Sequence, residues 1–250
     1  MNFEGKTAIV TGVGSERGFG AAIGTYLAER GCNIICVNRH VEGAERIAAS
    51  LRDVYGVRTM AIRADISSVD DVKNMIAESI KAFGKIDILV NNAGISERVG
   101  IEDMSVEQWD RMMKIDLYGT FYCSKFIVPH MRANHYGRIV TVSSVAGKRG
   151  GGVFGSSHYA AAKAGQLGFS KALARETAKD GITVNCVCPG ACKTDLGGIR
   201  FEEKTVMPEI LMGRRGENKE VAAAVAFLAS EDASYITGEE IDVNGGLHID

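Results

Sequence analysis

The sequence has little proline, three residues in 250. It also has no low-complexity, repeated or glycine/serine-rich stretch between its periodic segments, so no linker divides it and residues 1–250 read as one domain. Long apolar runs are missing too. None approaches the length of a membrane span, and Met1 to Lys6 is not a signal peptide. A surplus of one charge is absent, since acids and bases intersperse to a formal net of −2. That argues against nucleic acid or a membrane as a partner. The six cysteines, Cys32, Cys36, Cys123, Cys186, Cys188 and Cys192, form neither a CxxC nor a Cys/His ligand spacing. Buried free thiols are therefore expected, no metal site is expected, and a reducing cytoplasm is the simplest home.

What is present is alternation. The hydrophobic fraction of 46% and charged fraction of 24% suit a soluble globular chain with a large core. Short apolar runs at Lys6–Val10, Asn33–Val37, Thr59–Arg63, Ile86–Val90, Arg138–Val142, Thr183–Val187 and Glu240–Val243 read as strands. Amphipathic stretches read as helices at Ala21–Arg30, Glu42–Tyr55, Val69–Phe83, Val106–Ala133, a segment through Tyr159 to Lys179, and Lys219–Ser230. Strand–helix alternation with short connections predicts an α/β fold: a Rossmann-like, doubly wound parallel sheet of about seven strands, helices on both faces.

The first strand runs into Thr11-Gly12-Val13-Gly14-Ser15-Glu16-Arg17-Gly18-Phe19-Gly20, which opens the first helix. Glycines at a strand-to-helix turn let a backbone approach a pyrophosphate, and the N–H groups of the helix start favour negative charge. The same glycines could serve only to make a tight turn. The second strand ends Val37-Asn38-Arg39 with no acid to hold a ribose hydroxyl. Arg39, with Arg17 from the loop, could pair with a 2′-phosphate, which favours NADP(H). Alternatively Arg39 is solvated and Asn38 bonds the ribose of NAD(H).

Tyr159-Ala160-Ala161-Ala162-Lys163 supplies the chemistry. On a helix the phenol and the ammonium lie one turn apart on one face. A free phenol loses its proton near pH 10, and an adjacent cation favours the phenolate, so Tyr159 can act as acid or base. An ordinary surface pair is the plainer alternative.

Together these motifs resemble the short-chain dehydrogenase/reductase family over nearly the whole chain. Thr11-Gly12 with Gly18 and Gly20 resembles its TGxxxGxG loop, with extra residues here. Asn91-Asn92-Ala93-Gly94 is similar to its NNAG signature, Tyr159 and Lys163 to its YxxxK, and Pro189-Gly190 with Thr194 to its PGxxxT. Tyr235-Ile236-Thr237-Gly238 and Asn244-Gly245-Gly246 resemble its C-terminal strand signals. The resemblance implies that Ser144 holds the substrate oxygen for Tyr159, and that Lys163 bonds the nicotinamide ribose and lowers the phenol pKa. It implies a cofactor site of Gly12, Ser15, Arg17, Gly18, Phe19, Gly20, Asn38, Arg39, Asp65, Ile66, Asn92, Ala93, Gly94, Tyr159, Lys163, Pro189, Gly190 and Thr194. Ser143 competes with Ser144 for the serine role; Asn92 is expected to tie neighbouring strands. Asp65 is an adenine contact or a helix-start acid. Two departures stand out. The interval from Ser144 to Tyr159 is longer than usual, through a flexible insert at Lys148–Gly155 expected beside the substrate. Asp116 replaces the family's helix asparagine, either supporting a proton relay or merely pairing with a cation.

His158 reads as a local polar residue and not a base. Residues 196–215 are expected to form a substrate lid, with Arg214-Arg215 over the substrate. Three functions follow: an NAD(P)(H)-dependent reductase or dehydrogenase of a secondary alcohol/ketone, a 3-oxoacyl-[acyl-carrier-protein] reductase, or a non-catalytic NADP(H) sensor, against which Ser144, Tyr159 and Lys163 argue. Arg132, Arg175 and Lys179 could form a basic patch for an acyl carrier or serve solubility. The family resemblance also implies a small-molecule substrate and a homo-oligomer, tetramer or dimer, through the helices at 106–133 and 157–179.

Overall fold

The computed structural model describes residues 1–151, 155–194 and 208–250. Seven strands, β1 (Thr7–Thr11), β2 (Asn33–Asn38), β3 (Thr59–Arg63), β4 (Ile88–Asn91), β5 (Gly137–Val142), β6 (Ile182–Pro189) and β7 (Glu240–Val243), form one sheet in the order β3-β2-β1-β4-β5-β6-β7. Every pairing is parallel. The near-continuous apolar character of β1, β2 and β4 has its cause here, because helices cover both faces.

Strand residues alternate between two cores. Val10, Ile34, Cys36, Ile88 and Val140 pack against α1 (Phe19–Ala28), α2 (Val41–Tyr55) and α8 (Asn218–Ala229). Ile9, Ile35, Val37, Leu89 and Ile139 pack against α3 (Val69–Phe83), α5 (Gly119–Ala133) and α7 (Ser157–Thr177). Elements begin or end within a residue or two of the sequence expectation, the usual fraying of termini.

The helical region expected over Val106–Ala133 is helical throughout, though not uniformly α-helical. It is built of α4 (Val106–Met112), a π-helical segment Met113–Tyr118 and α5. Residue propensities do not distinguish a π turn from an α turn, and Asp116 lies within this segment. The segment after Ser144 also differs from a wholly flexible insert. Ala146–Arg149 form a short helix, α6. Its Lys148, with a side chain 8% exposed, lies 2.9 Å from Asp242, 3.6 Å from Glu240 and 2.5 Å from Asp250. Val153 and Phe154 lie outside the described residues. Among the described residues no helix is long and apolar enough to cross a membrane.

Candidate active site

Strand order reverses at β1, which lies between β2 and β4, and a crevice opens there at the strands' carboxyl ends. The glycine-rich loop floors it. A Cβ on Gly12 would sit 2.7 Å from Ala93 Cα, and one on Gly20 would sit 2.5 Å from the Gly12 carbonyl oxygen. No other residue type fits those positions, so the loop runs backbone against backbone into α1. Asn92 does tie strands: its Nδ2 donates to Thr11 O at 2.8 Å, while the Asn92 and Ala93 amides donate to Thr11 Oγ1 at 3.0 Å.

Two cavities meet over this floor. One of about 250 Å³ is lined by Gly12, Ser15, Gly18, Phe19, Asn92, Ala93, Gly94, Ser144, Tyr159, Lys163, Pro189, Gly190 and Thr194. The other, about 580 Å³, shares Gly12, Ser15, Ala93 and Gly94 and extends to Asn38, Arg39, Asp65 and Ile66. They form one trough of ligand-pocket size. Gly20 lies buried beneath it. Arg17 is exposed on the outer turn of the loop and lines neither cavity. Sequence reasoning missed Ile95, Val142, Cys192 and His40, which line the trough. Three of them adjoin motif residues; Val142 ends β5, just ahead of Ser143.

Helix α7 presents Tyr159 and Lys163 to the inner cavity, each 4% exposed. Ser144 lines the same cavity, and its hydroxyl acts on the Tyr159 phenol to pull it down. The competition between the serines resolves physically. Ser143 Oγ donates to the Lys163 carbonyl at 3.0 Å, whereas Ser144 Oγ accepts the Ala146 amide at 3.1 Å and is the serine that acts on the phenol. Lys163 Nζ donates to Val142 O at 3.1 Å, lies 3.4 Å from Asp116 Oδ2, and stands 5.6 Å from the Tyr159 ring centroid. Asp116 Oδ1 accepts the Ile95 amide at 2.9 Å. Asp116 thus lies in the π-helical segment with its carboxylate turned to Lys163.

Electrostatics add burial to the expected pull of Lys163. Burial pushes the Tyr159 phenol above its ordinary value, and the Asp116 charge adds to this. The Lys163 ammonium and the Ser144 hydroxyl pull it down without reversing the shift. Burial works to lower Lys163, but Asp116 and Tyr159 hold it above its usual value, so the ammonium stays charged. Burial pushes Asp116 upward against the pull of Lys163.

Three further residues take definite places. His158 is fully buried, its ring nitrogens have no hydrogen-bond partner among the described residues, and it acts electrostatically on Asp116. Arg214 lines neither cavity and pairs with Glu220 of α8 at 2.6 Å. Asp65 starts no helix: Ser68 caps α3, while Asp65 Oδ1 accepts from the Ser67 amide and hydroxyl at 2.9 and 2.6 Å. Of the lid, 196–207 lie outside the described residues; its far end is anchored where the Gly216 amide bonds Ala191 O at 2.9 Å.

The trough fits a dinucleotide on this chain's own geometry. Glycines 12 and 20 leave a floor without side chains, Phe19 and Gly20 bring first-turn amides to it, and polar groups converge at one end.

Comparison with known proteins agrees. A family model described as Enoyl-(Acyl carrier protein) reductase matches residues 12–248. The 3-oxoacyl-[acyl-carrier-protein] reductase FabG of Escherichia coli is 41% identical, covering 100% of both chains. An uncharacterized short-chain type dehydrogenase/reductase of Sinorhizobium fredii is 38% identical, again over 100% of each. The crystal structure of a short-chain type dehydrogenase/reductase from Mycobacterium marinum superposes with a TM-score of 0.94 at 30% identity, covering 100% of this chain and 98% of that one. With this sheet order, this trough and these matches, the chain belongs to the short-chain dehydrogenase/reductase family, oxidoreductases that act on CH–OH groups and their carbonyl counterparts with a nicotinamide cofactor.

Proposed function

We propose that the protein is an NADP(H)-dependent carbonyl reductase or alcohol dehydrogenase acting on a small secondary alcohol/ketone, with Tyr159 as its acid–base group. The observation that carries this reading is the convergence of Ser144, Tyr159 and Lys163 at the inner end of a dinucleotide-sized trough. A nicotinamide cofactor supplies or accepts the hydride when bound. Ser144 holds the substrate oxygen by a hydrogen bond. Tyr159 gives its phenolic proton to that oxygen in reduction and takes one from the alcohol in oxidation. Lys163 holds the nicotinamide ribose and stabilises the phenolate. Asp116 holds the ammonium in place.

Gly12, Ser15, Gly18 and Phe19 take the pyrophosphate, Asp65 and Ile66 the adenine, and Asn92, Ala93, Gly94, Pro189, Gly190 and Thr194 the nicotinamide half. NADP(H) is supported by Arg39 beside His40, with Arg63 in the same hollow at the end of β3 and no acid at the end of β2. The main test is Tyr159→Phe. Turnover of a ketone panel is abolished while NADPH still binds; retained turnover overturns the reading.

A 3-oxoacyl-[acyl-carrier-protein] reductase is the second reading, favoured by the name and full-length similarity of the Escherichia coli relative. Against a carrier-docking patch, Arg132 is already paired with Asp180 at 2.7 Å and bonded to the Glu176 carbonyl. Turnover of 3-oxoacyl thioesters on a carrier protein, in preference to free ketones, would select it. Exposed Val106, Trp109, Tyr118 and Phe121 along one stretch support a homo-oligomer through that helical region, which sedimentation tests. The buried free cysteines support a reducing, cytoplasmic setting.

A further inference from the structure

Tyr159 and Lys163 turn to the cleft. The neighbouring face of α7 carries His158, Ala162 and Gln166 at four-residue spacing, each buried. Buried polar side chains at such a place need a reason. Gln166 has one. Its Nε2 lies 2.8 Å from the main-chain carbonyl of Asp116 and 2.8 Å from Thr120 Oγ1. The Thr120 hydroxyl donates to that same carbonyl at 2.8 Å.

The Asp116 carbonyl is thus gripped from two sides, once from the following turn and once from α7. A π-helical turn is uncommon and persists where side chains hold it. With its carbonyl held, the residue has its carboxylate between the Ile95 amide and the Lys163 ammonium. Gly94 leaves the room for this, since a Cβ there would lie 2.8 Å from Asp116 Oδ2.

We propose that Gln166 is a positioning residue of the active site: by holding the Asp116 carbonyl it fixes the carboxylate against Lys163, and so sets how strongly the ammonium acidifies Tyr159. Gln166 acts through Asp116 and has no bond of its own to Tyr159 or Lys163. The inference rests on the acid–base reading of Tyr159 given above. The titratable groups acting on Asp116 and its ammonium partner are Tyr159 and His158 on α7 and Cys188 on β6.

The test is Gln166→Leu, a substitution of similar volume that keeps the buried face apolar. The expected result is kcat lowered about three- to tenfold with the NADPH Kd changed less than about twofold. The midpoint of the Tyr159 limb in the pH–rate profile moves the same way as in Asp116→Asn. The double variant Asp116→Asn/Gln166→Leu shows the limb of Asp116→Asn alone, because the amide has no carboxylate left to aim. In the cofactor-free protein, exchange of the Ile95 amide quickens in Gln166→Leu as its acceptor shifts.

A wild-type limb and wild-type Ile95 protection in Gln166→Leu overturn the proposal, as do losses that add in full in the double variant. Should Gln166→Leu fail to fold, Thr120→Val removes the other grip and must move the limb in the same direction. An unmoved limb there counts equally against the idea. Ile95 exchange needs no turnover, so it reports on Gln166 even if Tyr159→Phe were to sink the acid–base assignment.

Discussion

Lys163 Nζ stands 3.4 Å from Asp116 Oδ2, both side chains at most 5% exposed, and 5.6 Å from the ring centroid of Tyr159. A carboxylate at this point opposes the ammonium's effect on the phenol. Asp116 pushes Tyr159 up while Lys163 pulls it down.

Asp116→Asn therefore shifts the pH–rate profile toward acid. Removing the negative charge leaves the ammonium uncompensated and lowers the phenol pKa. In oxidation, where phenolate is the base, activity rises through a midpoint at lower pH. In reduction, where the phenol is the acid, activity falls off from a lower pH. Profiles of kcat/KM against pH for both proteins check this, and identical curves and rates would leave Asp116 with no part in the proton chemistry.

Gly94→Ala reaches the same pair by steric means. The new Cβ would lie 2.8 Å from Asp116 Oδ2 and 3.3 Å from its Cγ. Forcing the carboxylate aside costs about 1–3 kcal/mol. In a domain of this size that lowers Tm by roughly 2–4 °C per kcal/mol. Calorimetry measures the first effect, and kcat at saturating NADPH the second. An unchanged Tm means that the loop yields instead of the carboxylate.

Lys148→Met tests the anchor of α6. The ammonium serves Asp242 at 2.9 Å and Glu240 at 3.6 Å, and Met leaves both half-buried carboxylates without it. A loss of about 1–3 kcal/mol is expected, discounted for partial solvent access. Since α6 packs on α7, where a Gly147 Cβ would touch the Lys163 carbonyl carbon at 2.8 Å, KM for substrate rises as well. Denaturant titration together with KM measurement decides it; stability equal to wild type would mean the acids simply hydrate.

Arg39→Ala separates the two cofactors. If Arg39 takes the 2′-phosphate, NADPH binding weakens about 10- to 100-fold, the worth of one charge-assisted phosphate contact. NADH binding moves little. Fluorescence titration with each cofactor reads the ratio, and equal weakening of both would assign Arg39 to the adenosine instead.

Much of this molecule is legible in the chain. Alternation gave the layers, because a strand buried on both faces is apolar throughout and a covering helix is apolar on one. The glycine loop and Tyr159/Lys163 were readable because each chemistry needs its residue types at a fixed local spacing. The burial of His158 was not legible there: its position beside Tyr159 says which way it points along α7, but not that α7 is packed on that side too. The pairing of Arg214 with Glu220 of α8 was likewise not legible, because its sequence neighbourhood does not name a partner on another element.

The sequence by itself determined the βα order, a glycine turn opening α1, and the phenol–ammonium pair on one helical face, since all of these follow from residue types and spacing among near neighbours along the chain. Tertiary structure alone decided which serine acts on Tyr159, the π turn at Asp116 and the carboxylate behind Lys163. Those depend on groups tens of residues apart, Asp116 and Gln166 among them, whose meeting is fixed by how α7 packs against the helical segment ahead of α5.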